Sequence, residues 1–303
     1  MGRRDLLVIL GLLVVVGLAV TVYLVRPAFL SSILGSDKPS DVAGKEVPPI
    51  EETPLVRIAT AGDTGTGDAA QQATADRIVA ETAGEPYDAL LLLGDMIYEK
   101  GDAAQVDIKV LEPFKAVTSA GAELVPVLGN HDYESGEQQQ IMASLGRDRL
   151  WYVEQIGPVR VVVLDSNQVD NAAQTRWLRA TLSADSPPRT WTVVALHHPA
   201  YSAGDHGSTA DVQETWSPLF AEYDVPLVLA GHDHDYQRSV PVDGVTYVVS
   251  GAGAKLRATG KQDFTAVSAS QRHFLDLLFY DDRLVGRAIN QSGRLVDAFE
   301  ISR

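Results

Sequence analysis

Five apolar runs in this chain end on, or just before, a glycine or histidine that is followed at once by side chains able to bind metals or protons. LVRIATA (55–61) leads into GDTG (62–65), and DALLLLG (88–94) leads into GDMIY (94–98). ELVPVLG (123–129) leads into GNHD (129–132), WTVVALH (191–197) into HHP (197–199), and PLVLAG (226–231) into GHDHDYQR (231–238). Short apolar runs bounded by turn residues are the signature of buried strands. Few folds place so many polar groups at the same end of such strands.

RVVVLDS (160–166) is a further strand candidate, and helical spacing occurs over 68–82, 106–119, 172–183 and 209–223. The tail segments TYVVSG, HFLDLLFY, RLVGRAIN and RLVDAFEI suggest antiparallel strands. Near-continuous apolar strands alternating with helices belong to sheets covered on both faces, so the expected class is α/β. Ligands in such folds bind beyond the carboxyl ends of the strands. Five strand ends therefore carry Asp63, Asp95, Tyr98, Asn130, His131, His197, His198, His232 and His234 toward one edge. Of the seven histidines, five lie in these motifs and His206 follows shortly after.

Carboxylate and phenolate oxygens, an amide oxygen and imidazole nitrogens are a metal-binding inventory. It exceeds what one ion needs and suits two ions about 3.5–4 Å apart that share a carboxylate. The spacing of His232 and His234 lets one turn reach both ions. His273, inside an apolar strand, reads as a packed or surface histidine. The glycines of GDTGTGD do not form a phosphate loop, since no GxxxxGK[ST] follows, and Gly260-Lys261 lacks both the upstream glycine and the Ser/Thr.

Residues 6–25 form an uncharged apolar run after Arg3 and Arg4. As a helix it would span ~30 Å, about one bilayer core. Residues 1–5 then read as a short cytoplasmic N-terminus and 6–25 as a transmembrane anchor. The rest would face outward by the positive-inside rule; a long cleaved signal, giving a secreted protein, stays open. Residues 26–54, rich in Pro, Ser and charge, read as a flexible linker, with the folded domain at 55–303. The chain has no cysteine, which removes disulfides, thiolate metal sites and a lipoprotein anchor. A net charge of -15 argues against general nucleic-acid binding.

In order, GDxG, GDxxY, GNHD, HxP and GHxH resemble the calcineurin-like metallophosphoesterases, and within them the small, tartrate-resistant type of purple acid phosphatase. The likeness covers most of residues 55–255, and YVVSGAG (247–253) is similar to that family's segment after its last metal motif. It implies a four-layer α/β/β/α sandwich of two mixed sheets flanked by helices, here preceded by the N-terminal transmembrane helix.

The resemblance also implies roles. Asp63, Tyr98 and His234 would bind a ferric ion. Asn130, His197 and His232 would bind a divalent Fe, Zn or Mn, with Asp95 bridging. His198, the middle residue of HxP, would not be a ligand. His131 and His206 would be the catalytic histidines that touch the phosphate and leaving group. Related phosphodiesterases and protein phosphatases have a histidine ligand where this chain has Gly65. Tyr98 replaces it, and tyrosinate favours a hard trivalent ion. The implied activity is an acid phosphatase that cleaves small phosphomonoesters with a metal-bound hydroxide. A Mn/Zn phosphodiesterase or nucleotidase at the same site, and a non-catalytic membrane-tethered binding protein, remain as alternatives.

Overall fold

A computed structural model describes residues 42–83, 85–185 and 187–303. The apolar run 6–25 and its anchoring role lie outside these residues. Among the described residues, no helix is long and apolar enough to cross a membrane.

The strands are β1 (Val56–Ala61), β2 (Ala89–Leu93), β3 (Glu123–Val127), β4 (Tyr152–Ile156), β5 (Val159–Val163), β6 (Trp191–Ala195) and β7 (Leu227–Ala230). After them come β8 (Tyr236–Ser239), β9 (Thr246–Ser250), β10 (Thr265–Ala269), β11 (His273–Phe279), β12 (Arg283–Asn290) and β13 (Leu295–Ser302). They build two sheets, ordered β13-β12-β11-β1-β2-β3 and β10-β8-β9-β7-β6-β5-β4. Both are mixed: β1, β2 and β3 run parallel while β1 pairs antiparallel with β11. In the second sheet β5, β6, β7 and β9 are parallel, with β4, β8 and β10 antiparallel at its margins.

Side chains alternate across each strand. Ile58, Leu91, Leu93, Val125 and Val127 meet Val161, Val163, Val193, Leu227 and Leu229 in the core between the sheets. The opposite faces are buried too, which is why the strands read as continuous apolar runs. Val162, Val194 and Val228 pack against Leu178 and Leu182 of α4 (Ala172–Ser183), Val212 of α5 (Ala210–Thr215) and Phe220 of α6 (Ser217–Glu222). On the other sheet, α1 (Ala69–Ala80) touches β11 and α2 (Glu112–Ser119) touches β2. The layers are therefore helix, sheet, sheet, helix, as expected.

Local chemistry sets the helix ends. Asp68 caps α1 through Ala70 and Gln71 N–H, and Asn171 caps α4 through Ala173 and Gln174 N–H. Two expected helices are interrupted. The 106–119 segment begins with a wide turn over Asp107–Leu111 before α2. The 209–223 segment divides into α5 and α6 at Trp216, next to Pro218, which has no N–H to continue the first helix.

Three strands and the short helix α3 (Gln138–Ser144) had no legible sequence signal. β4, β8 and β10 are short and polar, and their neighbours supply the pairing. The linker expected over 26–54 also differs in its described part. Val42 is buried, Gly44 N–H donates to Leu295 O at 2.7 Å, and Leu295 N–H donates to Lys45 O at 2.9 Å. Ile50 packs on Leu278, Tyr280 and Val285, and Arg287 donates to Pro48 O at 2.8 Å. These contacts across β11–β13 hold residues 42–54 on the domain.

His273 is fully buried. Its Nδ1 meets Gln271 O at 2.9 Å and its Nε2 meets Ser250 Oγ at 2.9 Å. One donated and one accepted bond satisfy the neutral ring, and burial pushes its pKa down to about 4. A depressed histidine adds stability above its unfolded pKa and loses it as pH falls through its folded pKa. Wild type should therefore lose about 3 kcal/mol from this residue between pH 6.5 and 4. His273→Gln should flatten that part of the profile, measured as urea midpoints across the range. Parallel profiles for the two proteins would remove His273 as the cause.

Candidate metal centre

Parallel pairing brings the carboxyl ends of β1, β2 and β3 level in one sheet and those of β6 and β7 level in the other. The loops leaving these ends are tied directly together. Asp63 N–H donates to Gly94 O at 3.0 Å, Gly62 N–H to Ser250 O at 2.8 Å, and Gly231 N–H to His197 O at 3.0 Å. Asp63, Asp95 and His232 adopt left-handed backbone, with φ of 56, 51 and 71 degrees. Such non-glycine conformations persist only where the surroundings impose them. Glycine is required beside them: at Gly94, φ is +89 degrees and a Cβ would lie 2.4 Å from His197 Nδ1.

All nine expected site residues converge here. In one group, Tyr98 OH lies 2.9 Å from Asp63 Oδ1 and 3.2 Å from His234 Nε2, and His234 Nε2 lies 3.4 Å from Asp63 Oδ1. Asp95 stands close enough to Asp63 and His234 to share an ion with them. In the other group, Asn130 Oδ1 lies 3.2 Å from His197 Nε2 and 3.0 Å from His232 Nδ1, while Asp95 Oδ1 lies 3.5 Å from His197 Nε2. Asp95 thus faces both groups. His198 stands near His197 and His232, with its Nδ1 2.9 Å from Ser166 Oγ. A Cβ at Gly65 would lie 2.0 Å from the Met96 carbonyl, so no side chain fits at this position.

Within these groups the Tyr98 hydroxyl donates to Asp63 Oδ1, and the other close contacts run between ring nitrogens and oxygens. His197 Nδ1 donates to Leu93 O at 2.7 Å, and its Nε2 faces the oxygens of Asn130 and Asp95. Burial, against the pull of His197 and with the charge of Asp95, pushes Asp63 up to about 8. Burial pushes His234 down to about 4, helped by Arg257 and Lys255, and His198 down to about 3, helped by His197. It holds His232 far below its ordinary value, together with the neighbouring imidazoles. Neutral imidazoles are the ligand form that cations select, and a bound cation would displace the proton that burial holds on Asp63. The residues present fit two metal ions.

His131 and His206 flank the groups. His131 donates its backbone N–H to Asp95 Oδ1 at 2.9 Å, and its Nδ1 bonds Glu99 O at 2.6 Å. The His206 ring stacks on His232 with centroids 4.2 Å apart. The positioning carboxylates were not legible as such. Asp132 is fully buried and accepts N–H bonds from Gly129 at 2.9 Å, Ile97 at 3.0 Å and Met96 at 3.3 Å. It thereby joins two ligand loops. Asp233, between the paired histidines, accepts from His206 N–H at 2.8 Å and from Ser202 Oγ, holding the loop that carries His206. The acids flanking these histidines were visible in the sequence; their partners, about thirty residues away, were not.

A calcineurin-like phosphoesterase family model matches residues 56–236. An uncharacterized Mycobacterium tuberculosis protein is 32% identical over 156 residues, spanning 40% of this chain and 28% of that protein. Mouse tartrate-resistant acid phosphatase type 5 is 29% identical over 241 residues, covering 66% of this chain and 73% of that enzyme. The fold matches the structure of a purple acid phosphatase from yellow lupin seeds. The TM-score is 0.71 at 20% identity, over 84% of this chain and 55% of the other.

Asp132→Ala would leave three buried N–H groups without an acceptor. Stability should fall by about 3–5 kcal/mol, read by chemical denaturation. A loss below about 1 kcal/mol would show that those amides are satisfied in another way.

Proposed function

Since the chain belongs to the calcineurin-like phosphoesterase family, we propose that it is a binuclear acid phosphatase of the purple type, hydrolysing small phosphomonoesters. The observation that carries this reading is the pair of donor groups sharing Asp95, with a tyrosine in one of them. Asp63, Tyr98, His234 and Asp95 would hold Fe(III), and Asn130, His197, His232 and Asp95 a divalent Fe, Zn or Mn. When bound, the ions activate water and neutralise charge on the phosphoryl oxygens.

The chain's own groups do the rest. Asp63 Oδ2 accepts the His232 N–H at 2.9 Å, which turns Oδ1 toward Tyr98 and His234. The bond from His131 Nδ1 to Glu99 O leaves Nε2 facing the centre, 4.0 Å from Asp95 Oδ2. As a water oxygen bonds to phosphorus, the P–O bond to the leaving group breaks. The attacking water gives up one proton, and the departing oxygen takes a proton from His131 or His206. His131 and His206 also donate to the phosphoryl oxygens as their charge grows.

The same reading includes anchoring through residues 6–25, with the catalytic domain outside the membrane. It expects the full chain in the membrane fraction of the producing cell; a fully soluble product would remove the uncleaved anchor.

The test of the chemistry is metal content, visible spectrum and hydrolysis on one full-length preparation. About two metals per chain are expected, one of them iron. A tyrosinate-to-iron band should vanish in Tyr98→Phe, and phenyl phosphate should be cleaved faster than bis(p-nitrophenyl) phosphate. Asp95→Asn should lose both metals and activity together; full metal content in that variant would refute the shared-carboxylate assignment. A colourless Mn or Zn protein that prefers the diester would make it a phosphodiesterase.

A further inference from the structure

A cleft of about 570 Å³ opens directly beside the tyrosine-containing donor group, and Tyr98 and His234 line both. Its other charged lining is unbalanced: Lys109, Lys255, Arg257 and Arg272 stand against Asp68 and Glu99. The whole chain carries a net charge of -15, so this cationic cleft runs against the background. An anion approaching the protein is drawn to this place.

The cations are placed to receive a ligand. Lys255 Nζ sits 3.6 Å from the Tyr98 ring centroid, at the rim of the centre. Its partner Glu99, at 3.0 Å, is 67% exposed, so the pair is a weak surface contact that a bound anion can replace. Arg272 directs its Nε to Ala254 O at 2.5 Å and lines the same cleft. Arg257 has its N–H on His234 O at 2.9 Å, which fastens this wall to a ligand residue. Lys109, which also lines the cleft, bonds the Tyr98 carbonyl.

We propose that this cleft is a subsite for a second anionic group on the substrate, so that the preferred substrates are phosphomonoesters whose leaving group carries another phosphate or a carboxylate. The inference rests on the phosphoester hydrolase reading above. The phosphoryl group sits at the donor groups, and the leaving-group anion reaches past Tyr98 to Lys255 and Arg272. Hydrogen bonds between a charged donor and an anion exceed neutral ones, and they add only when the second anion is present.

The test uses a matched pair on the metal-loaded full chain: ethyl phosphate and 2-phosphoglycolate, which differ by a terminal carboxylate. The kcat/KM ratio should favour 2-phosphoglycolate by about tenfold, the size of one charged hydrogen bond. Lys255→Gln and Arg272→Gln should each lower that ratio several-fold, and rising salt should lower it in wild type. A wild-type ratio near one, or a ratio unchanged in both variants, overturns the subsite. If neither ester is hydrolysed, the phosphatase reading fails instead. Calorimetric binding of pyrophosphate against orthophosphate then decides the cleft separately: a preference for pyrophosphate that both variants lose upholds it, and an absent preference refutes it.

Discussion

Asp95 is the point on which two sets of lone pairs converge. One set comes from Asp63, Tyr98 and His234, the other from Asn130, His197 and His232. The Tyr98 hydroxyl donates to Asp63, but so many ring nitrogens and oxygens crowded together are unfavourable in a low-dielectric interior. The fold tolerates them because other elements impose each position. Left-handed backbone at Asp63, Asp95 and His232 and the side-chain-free approach at Gly94 are costs of the same arrangement. Cations at these two groups would convert the repulsion into coordination.

The two-sheet architecture makes that convergence possible. Each sheet contributes about half of the donors from the carboxyl ends of its parallel strands, and the shared apolar core fixes the distance between the halves. Buried carboxylates then hold loop to loop: Asp132 joins the turns after β2 and β3, and Asp233 secures the His206 loop to the turn after β7. Ser166 plays the matching part after β5, accepting from the backbone N–H of His197 and His198 at 3.2 and 2.9 Å. These side chains accept hydrogen bonds from backbone N–H groups, so their effect is geometric.

The cationic cleft gives the centre a direction. Its cations reach it from separate places: Lys109 before α2, Lys255 and Arg257 after β9, and Arg272 just before β11. They line one cleft together with Tyr98 and His234. A local field of this sign on an acidic protein acts on charged ligands at short range, within about one Debye length of ~8 Å at physiological salt.

The sequence by itself determined the chemistry of this protein and the class of its fold. Strands buried on both faces must be apolar throughout, and ligands must be Asp, Tyr, Asn or His. Both constraints act residue by residue, so GDTG, GDMIY, GNHD, HHP and GHDHD were readable in order. The tertiary structure alone decided what depends on partners far along the chain. Strands β4 and β10 at the sheet edges, and β8 beside β10, have little apolar signal because neighbouring strands supply their pairing. Residues 42–54 resemble a tether in composition, yet they lie against β11–β13 through backbone hydrogen bonds, which no residue type encodes. Asp132 and Asp233 acquired roles only when distant N–H groups were brought to them. Lys255 and Arg272 are ordinary surface cations in sequence and neighbours of the metal centre only in space.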